Sequence, residues 1–350
     1  MHRKGDNRFG YAELIFHAMG IISVKNLKKT YKKTIRGEGV LSNIKTLFSK
    51  KYEEIKAVDD ISFEIGQGEI VGYIGANGAG KSTTIKMMSG ILHPTSGSVI
   101  VDGMTFDRSR KEINRNMGVV FGQKTQLWWD IPLIETFKIL KTIYEVDEAD
   151  FNERFEYLCD LLDLRGFLTQ NVRSLSLGQR MRADFAAALI HNPKIVYLDE
   201  PTIGLDVLVK DRIRKAIKEL NKKYNITVIL TTHDMKDIEE LCNRIIIIDK
   251  GKILYDGTLS DIKYKFGNTK SVFIPKNIAI DEEKIIARFE GIKIEHSEEN
   301  IILKFSSSSH ELDDVLEYLI NEYHVKDFKI EDISIEDITK ELYLENEKNG

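Results

Sequence analysis

Four short apolar runs punctuate the chain: Glu69–Ile74, Lys194–Leu198, Ile226–Leu230 and Arg244–Ile248. They are rich in Ile and Val, they do not alternate, and each ends in polar or glycine residues. That pattern suits strands covered on both faces of a parallel sheet. Between them, apolar residues recur at helical spacing over Lys81–Met88, Arg180–Ile190, Asp211–Tyr224 and Met235–Cys242. Strand and helix in alternation predict an α/β, doubly wound core. Ile22–Val24, Ile61–Ile65 and Ser98–Val101 instead alternate apolar with polar residues, as antiparallel strands do.

Three segments depart from this core pattern. Residues 34–56 open with Gly37 and Gly39, then place Leu41, Ile44, Phe48, Tyr52 and Ile55 at helical spacing, with Lys45, Lys50 and Lys51 among them. This predicts a basic amphipathic helix inserted between early strands. From about Lys265 onward Glu, Lys and Ile dominate. The pattern there predicts strand Ser271–Ile274, helix Glu282–Phe289, two strands around Ile292–Phe305, helix Glu311–Tyr323, strand Lys326–Ile330 and helix Ile335–Leu344. That order makes residues 268–345 a small α+β accessory domain. Residues 1–20 carry Arg3, Lys4 and Arg8 but too short an apolar run for a secretion signal, and read as a disordered leader, with Met19 a second candidate start.

Composition narrows the function. With 350 residues the chain has room for about two domains. Its 51 Lys+Arg against 55 Asp+Glu leave a net charge of −4, which argues against a nucleic-acid binder that works through bulk positive potential. The two cysteines lie far apart and suggest neither a disulfide framework nor a zinc site. No apolar run approaches the roughly 20 residues of a membrane-spanning helix.

The chemistry begins at Gly75-Ala76-Asn77-Gly78-Ala79-Gly80-Lys81-Ser82-Thr83, which follows an apolar strand and opens a helix. It fits the G-x-x-x-x-G-K-[ST] phosphate loop in its proper context. Glycines let backbone N–H groups converge on phosphate oxygens, and the helix N-terminus adds positive dipole. Lys81 is the residue to reach the β- and γ-phosphates, and Ser82 the hydroxyl to ligate Mg²⁺. The strand Ile195–Leu198 runs into Asp199 and Glu200. Asp199 is the candidate to hold Mg²⁺, and Glu200 the candidate general base for an attacking water. Leu175-Ser176-Leu177-Gly178-Gln179 supplies a second anion-binding helix start, with Ser176 as N-cap and Gly178 permitting close backbone approach. Two phosphate sites in one chain make sense when the second faces the nucleotide of another subunit.

The motifs and their order resemble the ABC (ATP-binding cassette) ATPase family over about Ile22–Gly257. Tyr31 matches the adenine-stacking aromatic, Gly75–Ser82 the Walker A loop and Gln123 the Q-loop. Leu175–Gln179 matches the signature, Leu198–Glu200 the end of Walker B, Gly204-Leu205-Asp206 the D-loop and His233 the switch histidine. Leu177 departs from the usual Leu-Ser-Gly-Gly-Gln. The resemblance implies a P-loop NTPase cassette over 21–262, with a mostly parallel core, an antiparallel subdomain and a helical subdomain at about 124–190. It implies ATP and Mg²⁺ as cofactors, with Gln123 contacting Mg²⁺ and the attacking water, His233 contacting the γ-phosphate, and Asp206 lying across a cassette dimer. It also implies partners: a second cassette, the same chain or a close homologue, and a separate transmembrane permease.

The stretch Phe121–Asp130 holds both tryptophans, Trp128 and Trp129, just past Gln123, where the family receives its permease. Together with the insert and the C-terminal extension it resembles the exporter-type cassettes that serve ABC-2-like permeases. The chain is then expected at the cytoplasmic face of the membrane, held peripherally. Translation-factor relatives carry two cassettes, and repair relatives split the cassette with a long coiled coil. This chain shows neither pattern. A P-loop kinase would have no use for Leu175–Gln179 or His233.

Overall fold

Ile- and Val-rich runs gain from burial in a sheet covered on both sides, and the strands form where that composition peaks. The computed structural model describes residues 20–34, 52–122, 124–266, 269–307 and 309–349. The chain divides into two units at Asp256/Gly257. The first contains β1 (Ile22–Thr34), β2 (Tyr52–Ile65), β3 (Ile70–Gly75), α1 (Lys81–Met88), β4 (Ser96–Val101), α2 (Phe106–Arg115), β5 (Met117–Phe121), α3 (Leu133–Tyr144), α4 (Glu148–Leu162), α5 (Leu177–Leu189), β6 (Ile195–Asp199), α6 (Val207–Tyr224), β7 (Thr227–Thr231), α7 (Met235–Leu241) and β8 (Arg244–Asp249), with β9 (Lys252–Thr258) running across the boundary.

Six strands form one sheet in the order β5-β6-β7-β3-β8-β9. β5, β6 and β7 are parallel and in register, so that Phe121, Asp199 and Thr231 share one row at their C-terminal ends. β3 lies parallel between β7 and β8. An antiparallel sheet, β2-β1-β4, completes the unit. Ile22, Leu27 and Ile65 from this sheet share a buried core with Ile85, Met87 and Met88 of α1 and Tyr73, Tyr197 and Ile229 of the parallel sheet.

The predicted helix across 34–56 is corrected where it can be followed. Tyr52 and Ile55 belong to β2, pairing with Thr34 and Tyr31 of β1 in a two-stranded ribbon. The outer part of β2 is exposed on both faces, so it carries no period-2 signal to compete with a chance helical one. Leu41, Ile44 and Phe48, like the leader 1–19, lie outside the described residues.

The second unit contains α8 (Leu259–Phe266), β10 (Thr269–Pro275), α9 (Glu282–Arg288), β11 (Lys293–His296), β12 (Asn300–Ser306), α10 (Leu312–Tyr323), β13 (Lys329–Asp332) and α11 (Ile335–Asn349). Its sheet order is β11-β12-β10-β13, with every pair antiparallel, which is the split βαββαβ arrangement. Val272, Ile274 and Leu303 of one sheet face pack with Ile285 of α9 and Val315 and Leu319 of α10.

One buried ion pair ties the loops after β6 and β7 to α6. Arg214 is 3% exposed and donates from Nε to Asp237 Oδ1 at 2.6 Å and from Nη1 to Asp211 at 2.6 Å. Asp237 is fully buried, and its Oδ2 accepts from Thr202 Oγ1 at 2.5 Å and Thr232 Oγ1 at 3.1 Å. A buried pair of this kind punishes loss of one member more than loss of both. Arg214→Met or Asp237→Ala alone is expected to lower stability by roughly 3–5 kcal/mol. The double substitution Arg214→Met/Asp237→Ala should cost clearly less than the sum of the two. Urea denaturation followed by far-UV circular dichroism measures all four proteins.

Candidate functional site

The phosphate loop is the turn between β3 and α1. Gly78 and Gly80 adopt left-handed φ values of 82° and 110°. At Gly80 a Cβ would sit 2.4 Å from the Ala57 carbonyl oxygen, so neither the conformation nor the space admits a side chain. Ala79 N–H donates to the Ala76 carbonyl, and the Gly251 N–H donates to the Ala79 carbonyl, bracing the loop from the β8–β9 turn. Lys81 is buried, and its ammonium donates to the carbonyls of Gly75 at 2.7 Å and Ala76 at 3.1 Å. Burial pulls the Lys81 pKa down, against the opposing pull of Glu200 and Asp199. Asn77 and Ser82 are exposed at the loop, and Thr83 is half-buried on the first turn of α1.

Asp199 and Glu200 leave β6 beside this loop. Ser82 Oγ lies 3.5 Å from Asp199 Oδ1, which also accepts from Thr231 Oγ1 at 2.5 Å. Glu200 holds a left-handed φ of 56°, a strained backbone for a non-glycine residue. Its N–H is shared between the Thr231 carbonyl at 2.9 Å and the Thr231 hydroxyl at 3.2 Å, which holds the backbone at Glu200 against the end of β7. His233 Nε2 lies 3.1 Å from Glu200 Oε1. Ser82, Asp199 and Glu200, with Lys86, Phe121 and Gly122, line a cavity of about 300 Å³.

Ser176, Gly178, Gln179, Asp206 and Tyr31 are not among the residues that line this cavity. Ser176 caps α5 with a full capping box: its hydroxyl accepts from Gln179 N–H at 3.2 Å, and the Gln179 side chain accepts from Ser176 N–H at 2.8 Å. Gly178 lies against Val209, 3.1 Å from where a Cβ would be. Leu177 is 47% exposed and borders Gly204. Asp206 is the N-cap of α6, its carboxylate accepting from Val209 N–H at 3.0 Å. Tyr31 is exposed on β1, opposite Ile55, with the Lys29 ammonium 5.5 Å from its ring centre. Gln123 lies outside the described residues. Trp128 and Trp129 are 40% and 47% exposed, and the Arg180 guanidinium of α5 stacks over Trp129 at 4.7 Å.

Two contributors escaped the sequence reading. Thr231 orders both carboxylate residues, and its only signal was a hydroxyl at the end of an apolar strand. Gly122 makes the close approach of β5 to β6 possible, since a Cβ there would lie 2.3 Å from the Glu200 carbonyl oxygen. Its signal was its place directly before Gln123.

Comparison with known proteins agrees with this geometry. The chain matches the ABC transporter family over residues 58–203. It is 32% identical over 222 residues to the ABC transporter ATP-binding protein NatA of Bacillus subtilis, covering 63% of this chain and 90% of NatA. It is also 32% identical over 283 residues to the methionine import ATP-binding protein MetN of Haemophilus influenzae, covering 78% of this chain and 80% of MetN. Among solved structures, the dimeric post-hydrolysis cassette MJ0796 bound to ADP and phosphate shares the fold with a TM-score of 0.58 and 28% identity, over 68% of this chain and 98% of that one. A phosphate loop facing two strand-end carboxylates and a histidine, on a fold shared with these proteins, places the chain in the family of ABC transporter ATP-binding proteins.

Proposed function

We propose that this ATPase is the motor subunit of an exporter, in which two cassettes bind ATP head to tail and drive a separate ABC-2-like permease from the cytoplasmic face of the membrane. The observation that carries the motor part of the reading is the convergence of Lys81, Ser82, Asp199, Glu200 and His233 at the ends of β3, β6 and β7; export and the permease type rest on the resemblance of the Phe121–Asp130 stretch, the insert and the C-terminal extension to exporter-type cassettes. The phosphates rest on the backbone N–H groups of Gly75–Ser82 and on Lys81. Ser82 Oγ and Asp199 Oδ1 are hard oxygen donors that suit Mg²⁺, with Gln123 the third residue proposed to hold it. Bound there, Mg²⁺ neutralises charge on the β- and γ-phosphate oxygens. Glu200 takes a proton from water as its oxygen bonds to the γ-phosphorus and the bond to the ADP oxygen breaks, leaving ADP and phosphate. His233, 3.1 Å from Glu200, would meet the γ-phosphate. Ser176, Gly178 and Gln179 would close over the γ-phosphate of a second cassette, with Asp206 at the same contact and Tyr31 stacking on adenine.

The peripheral location is supported by the absence, among the described residues, of any helix long and apolar enough to cross a membrane. The half-exposed Trp128 supports docking on a permease. The likeness to a methionine import protein over 78% of the chain favours import as a second reading. Inverted vesicles carrying chain and permease separate the two. ATP added outside empties a lumen preloaded with labelled methionine if the second reading holds, and leaves it full if it does not.

Three substitutions test the motor. Glu200→Gln is expected to cut the steady-state rate by about a hundredfold or more, and to elute as an ATP-dependent dimer in size-exclusion chromatography. Near-normal turnover would remove Glu200 as base. Lys81→Ala should weaken ATP binding measured by equilibrium titration or abolish turnover. Trp128→Ala should keep the ATPase rate of the isolated chain within about twofold while losing co-sedimentation with permease-containing membranes. Trp129→Ala should disturb both, because Trp129 also supports Arg180 of α5.

A further inference from the structure

Asp184 stands out because it is charged, only 5% exposed, and set in the Ala-rich face of α5. Neither the phosphate loop nor the carboxylate strand uses it. Its Oδ1 accepts from Thr125 Oγ1 at 2.9 Å and from Gln126 N–H at 3.0 Å. Its backbone carbonyl accepts from the Gln126 side-chain amide at 3.1 Å. Three hydrogen bonds therefore fasten two consecutive residues to one turn of helix. Burial pushes the Asp184 carboxyl up to about 6, opposed by the hydrogen bonds from Thr125 and Gln126 and by nearby Arg180. An ionisable group kept in such a place calls for a reason beyond packing.

The reason lies in what these residues flank. On one side of Gln123, Gly122 N–H donates to the Asp199 carbonyl at 2.8 Å, and the Gly122 backbone lies against Glu200. On the other side, Lys124 N–H closes a tight turn onto the Phe121 carbonyl at 3.0 Å, and Thr125 and Gln126 then reach Asp184. The upstream flank of Gln123 is thus pinned at Gly122 to β6, the strand that carries Asp199. The downstream flank is pinned at Thr125 and Gln126 to α5, the helix that begins after Ser176. Asp184 sits about two turns inside that helix.

We infer that Asp184 is a positioning residue that locks the downstream flank of Gln123 to the signature helix, so that a shift of the loop beside one nucleotide is carried as a rigid displacement to the element facing the next. The anchor rests on the reading of Leu175–Gln179 as a phosphate-facing element. Asp184 need not touch nucleotide, so its loss should slow turnover without weakening ATP binding.

The test uses the purified full chain, with steady-state ATPase assays, ATP titration and thermal unfolding. Asp184→Ala is expected to lower kcat by about tenfold with KM and ATP affinity within about twofold. Asp184→Asn keeps an acceptor oxygen for Thr125 and Gln126 and should recover most of the loss. Thr125→Val should lower kcat in the same way, and the double variant Thr125→Val/Asp184→Ala should fall no further than Asp184→Ala alone. Four results would overturn the inference: folded Asp184→Ala turning over at the normal rate, a rise in KM matching the fall in kcat, Asn no better than Ala, or additive losses in the double variant. Thr125→Val, which is isosteric, decides the matter if Asp184→Ala fails to fold. Gly178→Asp tests the underlying reading separately: unchanged kcat there would remove the signature from phosphate contact, whatever the Asp184 variants do.

Discussion

Parallel pairing in register is the constraint from which the site follows. Because β5, β6 and β7 run side by side without slippage, Phe121, Asp199 and Thr231 end in one row, and the turns beyond them have one place to go. Gly122, Glu200 and His233 each follow one of those strands within two residues. The phosphate loop leaves β3, the next strand in the sheet, and meets them there. A shift by one residue in any of these strands would turn its last side chain to the opposite face and empty the row. The antiparallel sheet and the helices serve this arrangement by covering the strands, and the Ala57 carbonyl of β2 closes against Gly80.

Electrostatics then sort the groups by task. Lys81 is desolvated, but two carbonyl oxygens accept from it and two nearby carboxylates oppose the loss of its charge, which favours a cation at the loop proposed to hold phosphate. Asp199 is drawn toward Ser82 and Thr231. Glu200, one residue on, has its backbone N–H fixed by Thr231 and its carboxylate left beside His233. Adjacent residues of the same charge thus take different partners within one cavity, because Asp199 is the last residue of β6 while the backbone turns left-handed at Glu200. Further out, the Arg214–Asp237 pair secures Thr202, two residues after Glu200, and Thr232, directly before His233.

Much of this could be read from the chain, and the exceptions have a common cause. The buried parallel strands were legible because their composition is extreme over several consecutive residues, and the phosphate loop because its glycines and lysine stand at fixed spacing. The C-terminal order of strands and helices was legible because its periods change cleanly between 2 and 3.6. Thr231, Gly122 and the partners of Asp184 and Arg214 were not, because their roles depend on residues 31, 78, 58 and 23 positions away. Asp206 was placed at a cassette contact and also proves to start α6, a turn before the predicted Asp211, because the cap depends on a side-chain bond that composition does not reveal. Tyr52 and Ile55 misled because an exposed ribbon has no face to hide, so nothing in its pattern forbids a helix.

The left-handed backbone at Glu200 has an evolutionary consequence. Glycine would relax that φ without loss, and asparagine or aspartate would suffer less than glutamate. On stability alone, position 200 selects against the residue it holds. With Glu200 as the proposed general base, turnover is what would hold glutamate at this position, and a lineage that stopped hydrolysing ATP would be expected to drift here early, exchanging the carboxylate for a residue that relaxes the backbone.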